Sequence, residues 1–214
     1  MSLYPVISPG VPDAVVTYIG STYSATNTST YTFSSHSIGT AAANRTIAVA
    51  LTGYFDASGV ITSVSVGGNS ATKRAEVDVT ASELEIWDVD VASGTTGDIV
   101  VAVSGTPHRL GVGVWALYGV GTPDDTATDT GTTLSQSLTI SAGGVAIAAS
   151  ANYQPSTPTC TWGAGITERY ESWIEPNTSH SGGDATGGGT ITTAATWSAT
   201  DTNDLLVAVA WPKG

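Results

Sequence analysis

The chain has 214 residues, of which 41% are hydrophobic and only 11% charged, against roughly a quarter charged in an average soluble protein. That is enough for one sandwich- or barrel-sized core and too few charges to clothe many helical surfaces. Six Lys and Arg against 18 Asp and Glu give a net charge of -12, which repels nucleic-acid phosphates and anionic membranes, so neither is expected as a partner.

In chain order, Met1-Ser2-Leu3-Tyr4-Pro5 has neither the positive region nor the apolar core of a signal peptide, so synthesis and assembly in the cytoplasm are expected. No run approaches the roughly 18 apolar residues of a membrane span. Pro5, Pro9, Gly10 and Pro12 exclude a helix and predict an extended N-terminal arm over residues 1–16, suited to reaching a neighbour. Residues 17–214 are then one domain.

Four strands, Ile47–Leu51, Gly111–Leu117, Val145–Ala149 and Leu206–Trp211, alternate large aliphatics with Ala or Gly. One face carries core bulk; the other is small yet apolar, and must be covered by a loop, an extra strand layer or another subunit. Ser/Thr-rich strands at Thr30–Ile38, Thr132–Ile140 and Thr190–Ser198 each precede an apolar strand after a turn, which predicts hairpins. Val60, Val64 and Val66 share one face, as do Ala75, Val77 and Val79. Thr80-Ala-Ser-Glu83 matches a capping box, but the β-branched residues around it favour strand. Between Ser82 and Val91 the apolar phase slips, which predicts a bulge near Ile86-Trp87. Asp98–Ser104 reads as a central strand. Ile166, Tyr170, Trp173 and Ile174 recur at helical spacing within alternating surroundings, and are read as strand. Gly182–Gly189 reads as a flexible loop. With 24 Ser, 34 Thr and 25 Gly, the fold expected is all-β: a jelly-roll-like antiparallel β-sandwich of about a dozen short strands.

Catalytic signatures are absent: no G-x-S-x-G, H-E-x-x-H or phosphate-loop pattern occurs, and His36, His108 and His180 stand in separate segments as expected surface residues. The lone Cys160 permits neither an intrachain disulfide nor a cysteine-based metal site. Asp124, Asp125 and Asp129 share an oxygen-rich stretch without calcium-loop spacing, so a solvated acidic loop is expected. Asp88 and Asp90 read as solvent-exposed. Glu168, Glu171 and Glu175 beside Trp162, Tyr170 and Trp173 could supply a glycosidase's carboxylate pair, but 18 acids among so few bases cluster by chance. No enzyme activity, cofactor or metal is expected. Trp115 and Trp211 belong to the core, whereas Trp162, Tyr170, Trp173 and Trp197, in polar contexts, are the candidate carbohydrate-binding residues.

The blocks Ser37-Ile-Gly39 leading to Arg45-Thr-Ile-Ala-Val, Val64-Ser-Val-Gly-Gly-Asn-Ser-Ala-Thr72, Glu85-Ile-Trp87, Gly94-Thr-Thr-Gly-Asp-Ile-Val-Val101 and Gly111-Val-Gly-Val-Trp-Ala-Leu-Tyr118 carry a resemblance. They look like small β-sandwich proteins encoded in tailed phages, prophages and gene-transfer-agent clusters of α-proteobacteria. The resemblance runs over roughly residues 30–211, is one of pattern and composition, and transfers no site residues. It implies a virion structural protein, either a capsid decoration or head spike or a tail-tip or fibre-associated subunit. Such a protein would be made in the bacterial host cytoplasm, contact other virion proteins and self-associate, with a trimer favoured. The alternative is a carbohydrate-binding module or lectin-like domain, and the two coexist if a surface spike contacts host polysaccharide.

Overall fold

The described residues of the computed structural model are 10–55, 59–105, 107–174 and 176–214, with backbone alone for Pro107 and His108. Within them the all-β expectation holds, with fifteen strands and no helix. Both segments with helix-like features, at Thr80–Glu83 and Ile166–Ile174, are turn and strand. The first strands are β1 (Val15–Ser24), β2 (Thr30–Ser37), β3 (Arg45–Phe55), β4 (Ile61–Val66), β5 (Asn69–Ser70), β6 (Thr72–Val79), β7 (Ser82–Asp90) and β8 (Thr96–Val103). They are followed by β9 (Pro107–Tyr118), β10 (Asp125–Thr130), β11 (Leu134–Asn152), β12 (Cys160–Trp162), β13 (Thr167–Ile174), β14 (Thr178–Trp197) and β15 (Leu205–Trp211). Antiparallel pairing gives three sheets, ordered β1-β9-β3-β7-β6, β2-β8-β4-β5 and β10-β15-β11-β14-β12, with β13 also on β14.

The five-stranded sheet is the middle layer. Successive strand residues point to opposite faces, so Ile47, Val49 and Leu51 of β3 meet Val64, Ile99 and Val101 of the four-stranded sheet. Ala48 and Ala50, with Trp115 and Leu117 of β9, meet Val145, Ile147, Val207 and Val209 on the other side. This explains the two-faced apolar strands, since a strand buried on both sides needs apolar residues at every position. It also corrects the phase slip in β7, where no bulge is needed because both faces are covered. The bulge lies in the edge strand β6, at Arg74 between Lys73 and Ala75, opposite Trp87 and Ile86. In β4 an irregularity between Ile61 and Ser63 turns Ile61 inward with Val64 and Val66 and leaves Val60 outside.

The small-residue faces of β11 and β15 are covered by the chain itself. Leu138 and Ile140 of β11 pack in one cluster with Ala146 and Ala148 of the same strand and with Ala208 and Ala210 of β15. In a straight strand, positions ten residues apart stand about 30 Å from each other. The β11–β14 ribbon therefore bends at its register break between Ile140 and Gly144 and folds back over the sheet. Its returning half reaches β10, which sits two places away from β11 in the sheet order. There Asp125 Oδ2 accepts the Thr139 N–H at 2.6 Å and Asp129 Oδ2 the Ser135 N–H at 2.7 Å. The extra strand layer is thus the cover used, and these faces no longer call for a second subunit.

None of the three polar–apolar pairs is a hairpin. β2 pairs with β8 in a different sheet from β3. Leu134–Ile140 of the second polar segment and Val145–Ala149 fall in one strand, β11, and β14 and β15 each pair with β11 rather than with each other. The expected Gly182–Gly189 loop lies inside β14, because β14 passes under the ring of Tyr170, where a Cβ at 182 would come within 2.6 Å of its Cε1. Residues 1–9 of the expected arm lie outside the described residues. Gly10–Ala14 precede β1, Ala14 N–H donates to Gly143 O at 2.8 Å, and Val15 and Val16 already belong to β1. Among the described residues no helix is long and apolar enough to cross a membrane.

Candidate functional site

Only half of the expected aromatic platform is available to a ligand. Tyr170 is buried between sheets, stacked on Tyr18 with ring centroids 5.6 Å apart and with its hydroxyl 2.9 Å from His180 Nε2. Trp197, at the end of the returning half of the ribbon, is buried facing the sheet and donates its indole N–H to Ser150 Oγ at 2.9 Å. Neither offers a ring face, because Tyr170 packs against Tyr18 and Trp115 of the middle sheet and Trp197 faces inward from the covering ribbon. Trp162 and Trp173 stay half-buried. Trp162 Nε1 donates to Ser181 Oγ at 2.9 Å, and Ser181 is the β14 partner of Glu171. Glu171 and Trp173, two positions apart, share a face of β13, and Glu171 Oε2 accepts the Cys160 N–H at 2.7 Å. The fold thus gathers Trp162, Glu171 and Trp173 where β12 lies over β13 and β14. Exposed Glu168 is near enough to Glu171 that burial, and then that charge, raise its pKa. Glu175 lies outside the described residues.

Several of the described groups that could perform chemistry are engaged within the fold, whereas Glu168 is exposed. His180 is buried, not superficial as expected, and burial pushes its pKa down to about 3, so it sits neutral against Tyr170. His36 Nδ1 lies 2.8 Å from Ser37 O, and the His108 side chain lies outside the described residues. The buried Cys160 thiol is pushed up to about 12 by burial, which leaves it without the thiolate character of a nucleophile. Asp184 binds Arg169 through both oxygens, each at 2.8 Å, and accepts the Trp115 indole N–H at 3.0 Å. Asp88 is buried rather than exposed. The acidic stretch expected as a loop includes strand β10, where Asp125 and Asp129 hold backbone N–H groups; Asp124, just before it, accepts the Ser141 hydroxyl. Among the described residues no three His, Cys, Asp or Glu side chains are placed to hold a metal ion.

One acidic pocket has no signal in the sequence beyond the phase slip between Ser82 and Val91. Glu83 and Glu85 of β7 line a cavity of about 270 Å³ with Lys73 and Glu76 of β6 and Ile61 of β4. Glu83 Oε2 accepts the Ile61 N–H at 2.8 Å, joining two sheets, and burial pushes its pKa up to about 7. Glu85 Oε1 pairs with Lys73 Nζ at 2.6 Å while Oε2 accepts the Trp87 indole N–H at 2.5 Å, and burial raises its pKa too. Lys73 also bonds Glu76 and lies 5.3 Å from the Trp87 ring centroid. The arrangement ties sheet to sheet and favours the protonated form of Glu83 more than an exposed position would. In comparisons with protein-family models, curated proteins and solved structures, nothing matches the chain.

Proposed function

We propose that the chain is a non-catalytic structural component of a phage-like virion, a capsid decoration or head spike or a tail-tip or fibre-associated subunit, assembled in the host cytoplasm onto other virion proteins. The observation that supports the non-catalytic part is the engagement of three of its reactive side chains: His180 is bonded to Tyr170, Asp184 to Arg169 and Trp115, and the Cys160 thiol is buried. The virion part rests on the pattern resemblance over residues 30–211. A net charge of -12 favours a position away from the packaged genome. The trimer loses its main support, because the small-residue faces are covered in cis.

The test is mass spectrometry of particles purified from an induced culture of the strain that encodes the chain. Recovery of the chain at a fixed ratio to the major capsid protein supports the reading. Its presence in the lysate and absence from the particles overturns it.

The second reading, a carbohydrate-binding domain, is favoured by half-buried Trp162 and Trp173 beside Glu171. A glycan array probed with the native chain and with Trp162→Ala and Trp173→Ala tests it; unchanged binding in both variants rules these two rings out.

A further inference from the structure

A cleft of about 400 Å³ opens between the β6–β7 edge and residues 120–122, a volume within the usual range of small-molecule sites, about 300–1,000 Å³. Its lining includes Arg74, the residue added by the β6 bulge, and bulges re-aim side chains. Arg74 Nε donates to Asp88 Oδ1 at 2.7 Å, and the other oxygen of that buried carboxylate accepts the Trp211 indole N–H at 2.8 Å. The guanidinium is therefore anchored at one corner, and its two terminal amino groups make no hydrogen bond to any described residue. Around it stand Asp90, whose Oδ1 accepts the Thr46 hydroxyl at 2.6 Å, and the hydroxyls of Thr72 and Thr122. The opposite wall is fixed, since Gly121 N–H donates to Pro212 O and Gly214 N–H to Gly119 O, each at 2.8 Å.

The geometry points to a binding site for a neutral sugar. Fixed N–H donors, a carboxylate acceptor and hydroxyls that both donate and accept match adjacent hydroxyl groups, each of which must give one hydrogen bond and receive another. Asp88 compensates the charge of Arg74 and Asp90 leaves the cleft net negative, so anions are disfavoured. This inference stands on the cleft and is independent of the virion reading.

The test is NMR of the full-length ¹⁵N-labelled chain titrated with glucose, galactose, mannose, N-acetylglucosamine and their β-linked dimers, with acetate and inorganic phosphate as anionic controls. The Trp211 indole and Arg74 Nε–H signals are expected to move with at least one neutral sugar. Asp90→Asn and Thr72→Val, which leave the Arg74–Asp88–Trp211 anchor intact, are expected to weaken that binding by about 3- to 10-fold at unchanged melting temperature. The inference is overturned if no neutral sugar moves these signals, if only acetate or phosphate does, or if Trp162→Ala abolishes binding that Asp90→Asn and Thr72→Val leave intact.

Discussion

A buried guanidinium has five N–H donors to satisfy, and Arg45 turns them on the backbone. Its Nε donates to Val91 O at 2.7 Å, and its terminal nitrogens donate to Gly39 O and Ser93 O, each at 2.9 Å. The side chain staples the start of β3 to two loops. Arg45→Met orphans three carbonyls and is expected to cost about 3 kcal/mol or more in urea denaturation. Arg45→Lys should fall between, because one ammonium cannot span three acceptors. The titratable residues set a pH dependence. Burial raises Glu83 and Asp204 to about 7 and raises Glu85 as well. Between the ordinary carboxylate range and pH 7 the folded chain therefore binds protons that the unfolded chain has released. That stabilisation is full at acid pH and is lost as pH rises through about 7. His180, held neutral down to about 3, opposes it with a single proton, favouring the fold above the ordinary histidine pKa. Urea midpoints should fall from pH 5 to pH 8, and Glu83→Gln should make the fall shallower; a midpoint that rises over this range would refute the assignment.

Single strands here do work that composition conceals. Gly182 lets β14 pass beneath two rings, since a Cβ there would sit 2.6 Å from Tyr170 Cε1 and 2.9 Å from Trp115 Cη2. Gly182→Ala is expected to cost about 1–3 kcal/mol as an overpacked core, with a change in the fluorescence of buried Trp115. The returning half of the β11–β14 ribbon is latched by Asp125 and Asp129. The double variant Asp125→Ala, Asp129→Ala should speed amide exchange at Ser135 and Thr139 and leave Ile147 and Val207 protected. Uniform loss of protection would mean that the ribbon is part of the global folding unit. The glycine run Gly182–Gly189 reads as a loop in the sequence and is strand in the fold, and the polar segment Thr132–Ile140 reads as half of a hairpin and becomes part of a cover layer. Their roles depend on what lies across the sheet, which the sequence period does not encode.

At the scale of the whole molecule, the described large hydrophobics left exposed are Val11, Val15, Tyr23 and Val60; Val15 and Tyr23 stand near opposite ends of β1, Val11 precedes it and Val60 precedes β4, and single exposed apolar residues do not demand a partner. Light scattering of the purified chain should therefore give a monomer; a stable trimer at micromolar concentration would show that a surface other than the small-residue faces drives assembly. Strand alternation, the turn residues and the low charge determined the fold class from sequence alone, because period-two patterning and propensity are local properties. Local pattern also placed Trp115 and Trp211 in the core. It could not tell Trp197 and Tyr170, which are buried, from Trp162 and Trp173, which are not, since all four sit among polar neighbours in the chain. Only packing between strands decided that: the returning ribbon turns Trp197 in toward Ser150 and Leu206, and β13 lies so that Tyr170 stacks on Tyr18 and meets Trp115. Both depend on contacts between residues distant in sequence, where burial is settled by the partner strand rather than by the residue itself.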